Sequence, residues 1–128
     1  MLIKTPNDCK YFSALDKTLI CELLHPKQDP KGLKMDFSIA HAILGPAESS
    51  LPHRMKSSVE IYYILEGTGQ MHIESESAEV EPDQAIYIPP NAAQWLVNTG
   101  NSDLKFLCLV CPPWMAEDEE LGVVLNPE

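Results

Sequence analysis

The stretch "LPHRMKSSVEIYYILEG", residues 51–67, brings together an imidazole at His53, a thioether at Met55 and a carboxylate at Glu60. On an extended strand, side chains i and i+2 share a face, so His53 and Met55 point one way and Arg54 the other. Beyond the turn at "KSS", residues Glu60, Tyr62 and Ile64 share a face of the next strand, and a tight turn brings Glu60 back opposite His53. Imidazole and carboxylate on paired strands form part of a metal site, and a thioether gives it a soft corner. Were Glu60 not tied to a metal, it would be the candidate catalytic base.

The elements that must position these groups read as β-strands. Short apolar runs are punctuated by Pro, Gly, Asn and Asp, and no long amphipathic helix appears. Strands are expected over 18–24, 35–44, 51–56, 59–66, 69–75, 77–82, 85–88, 93–98 and 104–111. Between them "HPKQDPKG" and "LGPAESS" read as loops and "EGTG" as a hairpin turn. The acidic end, 112–128, reads mainly as a tail with one helical turn in "MAEDEEL". Eight or nine antiparallel strands in 128 residues predict one all-β domain, a sandwich or small barrel with a pocket inside.

Composition narrows the function classes. The formal charge of −10 opposes nucleic-acid binding, which needs cations to displace phosphate counterions. The charge is lopsided: residues 1–56 hold eight Lys/Arg and six Asp/Glu, whereas 57–128 hold one and thirteen. No run of about 18 apolar residues marks a membrane span, and "MLIKTPNDCKYF" lacks a signal-peptide core, so a cytoplasmic protein is expected. Cys9, Cys21, Cys108 and Cys111 are then expected as reduced thiols; in "CLVC" the two sulfurs diverge on a strand. No nucleotide-binding glycine motif is present, so no nucleotide cofactor is expected.

Two separated segments carry a family resemblance. "H53-R-M55-x4-E60-x6-G67" and "PDQAIYIPPNAAQWLVN", residues 82–98, resemble the first and second motifs of the cupin superfamily, with spacing kept from Glu60 to Gly67 and from Pro89 to Asn98. The resemblance covers about residues 35–111 and implies a cupin jelly-roll barrel (a double-stranded β-helix). It divides the chain into an N-terminal strand and loop segment at 1–34, the barrel at 35–111 and the acidic C-terminal tail at 112–128. Small relatives dimerise through N-terminal strands, so a homodimer using 18–24 is implied. The family's metal ligands, His-x-His, Glu and a second-motif His, fall here on His53, Met55, Glu60 and Gln94. Two of the three histidines are thus replaced, and Asn91 stands at a family glycine, a substitution its tolerance of left-handed backbone makes cheap.

Three readings of the pocket stand open. A retuned metal site would favour zinc or a copper ion on donor type. A metal-free pocket would bind a small organic ligand through His53, Gln94, Glu60 and Tyr62, with Tyr87 a further candidate. A core reading makes Met55 a filler and His53–Glu60 a buried pair. The function expected is binding of a metal ion or small ligand. The alternative is a metal-dependent sugar isomerase or other small-molecule enzyme of cupin type; dioxygenase chemistry wants a second histidine. Of the remaining residues, His41 is expected as a satisfied core group, His25 as an exposed loop residue, His72 as a non-ligand, Trp95 as facing away from the pocket and Trp114 as an anchor for the tail.

Overall fold

The computed structural model describes residues 1–30 and 32–122. Among these, eleven strands run in order: β1 (Phe12–Ser13), β2 (Leu19–Leu24), β3 (Ser38–Leu44), β4 (His53–Met55), β5 (Val59–Glu66), β6 (Gly69–Ile73), β7 (Glu76–Val80), β8 (Ala85–Ile88), β9 (Gln94–Asn98), β10 (Leu104–Cys111) and β11 (Glu119–Leu121). Nine of them match the expected strands; β1 and β11 were not expected. All pair antiparallel, into a sheet ordered β1-β2-β3-β10-β5-β8 and a second ordered β11-β4-β9-β6-β7. The two sheets face each other as a jelly roll, and the chain crosses between them at every connection from β3 to β11 except β6 to β7.

Alternation builds the interior. In β10, Leu104, Phe106, Cys108 and Val110 are buried while Lys105, Leu107 and Leu109 are only partly so. The facing sheet adds Met71 from β6 and Leu96 from β9, and β5 adds Tyr62 and Ile64. Tyr62 and Phe106 pack with ring centroids 4.8 Å apart. Each large apolar side chain taken out of water here contributes roughly 1.5–3 kcal/mol. The "EGTG" hairpin needs its first glycine: Gly67 has φ +84°, and a Cβ there would lie 2.7 Å from the Asp103 carbonyl oxygen. Asn91 takes φ +68°, the left-handed turn its side chain tolerates.

Both ends of the chain fold onto the rim of this barrel. The hairpin between β1 and β2 turns at Asp16–Lys17, and Leu51 donates its backbone N–H to the Asp16 carbonyl at 2.7 Å. The helical turn expected in "MAEDEEL" is a single 3-10 turn at Ala116–Asp118, followed at once by β11. That strand pairs Glu119 with Met55 and Leu121 with His53, so the acidic end adds an edge to the second sheet. Asp118 fixes the junction, accepting from the Ser57 N–H and hydroxyl and from the Ser58 N–H at 2.7–3.2 Å. Residues 123–128 of the expected tail lie outside the described residues. No described helix is long and apolar enough to cross a membrane.

Asp118→Ala should cost about 1 kcal/mol, given its exposure, and should speed amide exchange at Glu119 and Leu121. Unchanged exchange at both residues in a hydrogen-exchange experiment would show that other contacts dock β11.

Candidate functional site

β4, β5 and β9 place the expected site residues by strand parity. His53, Met55, Glu60, Tyr62 and Gln94 all fall on inward positions and are all buried. His53 pairs directly with Gln94 between β4 and β9. Arg54 points outward, as expected, and meets Glu120 at 3.1 Å.

Polar groups on these inward positions need partners, and three of them satisfy one another. The Tyr62 hydroxyl donates to Gln94 Oε1 at 2.9 Å, and Gln94 Nε2 donates to Glu60 Oε1 at 2.9 Å. The amide is therefore engaged at both ends. Its oxygen, the only atom it could offer to a metal ion, accepts from Tyr62 with one of its two lone pairs.

His53 is oriented differently. Its Nδ1 lies 2.7 Å from the Leu51 carbonyl oxygen, which can only accept, so Nδ1 carries the hydrogen. Nε2 then faces Asp16 Oδ2 at 3.3 Å. A bare Nε2 lone pair opposite a carboxylate is repulsive, so a positive charge, proton or metal ion, must lie between them. Glu119 closes the group: one ligand atom each from Asp16, His53 and Glu119 lies within 4.8 Å of the others, and all three residues are buried. Asp16 is held by Thr18, whose backbone N–H and hydroxyl donate to Oδ1 and Oδ2 at 3.0 and 3.1 Å. Glu119 Oε2 is buried without a hydrogen-bond partner.

The cavity that these groups line has a free volume of about 30 Å³, room for one or two water-sized occupants. Asp16, Glu22, Glu60 and Glu119 all reach it, with His53, Met55, Tyr62, Cys108 and Trp114 among the remaining walls, and no Lys or Arg does. Gathering acids away from water favours their neutral forms. Burial, opposed by the Gln94 hydrogen bond and helped by the charges of Asp16 and Glu119, pushes Glu60 up to about 8. Burial and then Asp16 lift Glu119 to about 7, and burial and then Asp29 lift Glu22 to about 7. Both Glu22 carboxylate oxygens lack a hydrogen-bond partner.

The remaining candidates are dispersed. Tyr87 is 64% exposed and lines a separate open groove beside β7 and β8, because its outward parity on β8 takes it away from the cavity. His25 corrects the loop expectation: it is buried, its Nε2 meets the Trp114 carbonyl at 2.8 Å, and its Nδ1 accepts from the Lys27 N–H. The loop folds back on itself through Asp29, which accepts from the His25 N–H, and this closes the imidazole under Trp114. His41 is buried with the Tyr11 hydroxyl on Nδ1 at 2.7 Å. His72 stacks on Trp95 with ring centroids 4.5 Å apart, away from the cavity. All four cysteines are free thiols, with Cys108 buried and Cys111 exposed.

The sequence reading missed Asp16 and Glu119, which lie outside the two motifs. Their signals were faint: an Asp two residues before a Thr in a turn, and one acid within a run of four. At the family-type metal positions, Gln94 is occupied by hydrogen bonds and Met55 offers only a thioether. Those four residues make a weaker donor set than the three histidines and one glutamate of the family motif.

Comparison with known proteins agrees with the architecture. The family model described as Cupin_2, a cupin domain, matches residues 40–110. An uncharacterized protein of Methanocaldococcus jannaschii is 43% identical over 121 residues, 94% of each chain. A glucose-6-phosphate isomerase of Thermococcus kodakarensis is 30% identical over 132 residues, covering 84% of this chain and 68% of that one. Among solved structures, a Cupin 2 conserved barrel domain protein from Salinispora arenicola superposes with a TM-score of 0.74 at 14% identity, over 87% of this chain and 88% of that one.

The raised acids set a pH dependence. Glu60, Glu22 and Glu119 all sit above the ordinary value of 4.5, so between that value and about 8 the folded protein holds protons that the unfolded chain has released. Stability must then fall as pH rises through this window. Chelator-treated protein should melt at a lower temperature near pH 8 than near pH 5, and Glu60→Gln should flatten the upper part of the curve. A melting temperature that rises with pH in this range would contradict these assignments.

Proposed function

The chain belongs to the cupin family, and from that membership we propose that it works as a binding protein whose barrel pocket takes a divalent metal ion. One observation carries this reading. A small space the size of one or two waters is faced by four buried carboxylates and one imidazole, with no lysine or arginine among its walls; His53 lies 3.3 Å from Asp16, and His25 lies 3.6 Å from Glu22. Gathering four carboxylates away from water costs several kcal/mol for each one left charged; protons relieve part of that cost, and a cation relieves it with the acids ionised.

The same observation weighs against the sugar-isomerase alternative, although the T. kodakarensis relative bears that name. Pockets for organic ligands typically enclose some 300–1,000 Å³, about tenfold more than this cavity. The lining also lacks any cation to hold a phosphate. Zinc remains a fitting ion on donor type, and copper(I) fits less well, because four oxygen donors outnumber one thioether. Residues 1–34 carry exposed Phe12 and Leu19 along the β1 edge and the strand beside it, and we assign the expected homodimer contact to this surface.

Protein purified without chelator should contain close to one divalent ion per chain by elemental analysis. Adding zinc or manganese to stripped protein should raise its melting temperature in a concentration-dependent way. An ion-free preparation whose melting temperature does not respond to either metal would overturn the reading.

A further inference from the structure

We infer that the ion is held by Asp16, His53 and Glu119, a centre assembled from both ends of the chain and the first motif, and not by His53, Met55, Glu60 and Gln94. This inference rests on the proposed metal binding and names the ligands.

Three observations beyond the gathering of acids point to a ligand here. First, His53 donates Nδ1–H to a backbone carbonyl, the outer hydrogen bond that metal-ligating histidines usually make, which leaves Nε2 as the donor facing Asp16. Second, Glu119 is 91% buried, and its Oε2 has no protein partner. It lines the cavity, so the unused oxygen belongs to a group aimed at this space. Third, the one spacing between the imidazole and Asp16 suits two ligands of one ion. Two donors about 2.1 Å from a metal lie roughly 3.0–3.4 Å apart at right-angled or tetrahedral geometry, and Nε2 and Oδ2 lie 3.3 Å apart.

The competing set lacks these features. Gln94 presents its amide N–H to Glu60 and its oxygen to Tyr62, which leaves it one lone pair on a neutral oxygen, a weaker donor than imidazole or carboxylate. Met55 keeps only a thioether, a weak donor beside carboxylates. Two carboxylates and one imidazole select a borderline or hard divalent ion such as manganese, iron or zinc over a soft one. The second carboxylate oxygens and the neighbouring Glu22 and Glu60 leave the remaining coordination positions to water or to a protein oxygen.

The arrangement also explains the anchoring of the two termini. Asp16 comes from the β1–β2 turn and Glu119 from β11, 103 residues later, and neither lies within the matched segment 40–110. An ion at this place ties the N-terminal hairpin, the first motif and the C-terminal strand together.

The test is calorimetric titration of chelator-treated full-length protein with zinc chloride and with manganese chloride. Asp16→Asn and Glu119→Gln should each weaken binding at least tenfold, whereas Met55→Leu should stay within twofold of the unaltered protein. X-ray absorption on the zinc-loaded unaltered protein should show nitrogen and oxygen neighbours only; it needs no variant, so it decides the matter even if Asp16→Asn fails to fold. A sulfur shell near about 2.3 Å, or loss of affinity in Met55→Leu with none in Asp16→Asn and Glu119→Gln, would overturn this ligand set while leaving metal binding intact. No binding of either ion by the unaltered protein would remove both.

Discussion

Charge balance in a closed space is the constraint on which this molecule turns. Asp16, Glu22, Glu60 and Glu119 face one small cavity, and His53 is the only basic side chain among its walls. Its free volume holds only one or two waters, too few to solvate four carboxylates. Each must be neutralised by a proton, by a hydrogen bond or by an ion. Glu60 uses the hydrogen bond from Gln94 together with a strongly raised proton affinity, and Glu119 keeps one oxygen without any partner. The barrel supplies the walls, but the balance decides what can be inside.

That balance gives the chain ends a role. A jelly roll needs neither the β1–β2 turn nor β11 to cover its apolar core, which is built mainly from β3, β5, β6, β9 and β10. The ends instead bring Asp16 and Glu119 over the cavity, held by Thr18 on one side and by the Asp118 bonds to Ser57 and Ser58 on the other. His25 adds a further tie, joining the end of the second strand to the Trp114 carbonyl beneath the C-terminal segment. Met55 and Gln94 stand where the cupin motif has histidines, and the chain ends bring carboxylates to the same cavity.

Much of the fold was legible because strand parity is a strong local rule. The inward set Glu60, Tyr62 and Ile64, the outward Arg54, and the divergence of Cys108 from Cys111 all follow from a period of two. The spacing from Glu60 to Gly67 was readable too, since a hairpin there admits no Cβ. Asp16 and Glu119 were not legible, because their meeting is a tertiary event across 103 residues of chain. Asp16 looks like an ordinary turn acid capping Thr18, and "EDEE" looks like solvated charge until β11 pairs with β4. His25 misled for the opposite reason: a Pro- and Asp-rich loop reads as exposed, yet its backbone folds back and buries the ring.

The most direct test is the position of the ion itself. Anomalous-difference maps from crystals grown with manganese should show a single peak in the barrel beside Asp16 Oδ2, His53 Nε2 and Glu119 Oε2. A peak centred instead between the Met55 thioether and Gln94, or a barrel with no peak at saturating manganese, would contradict the account.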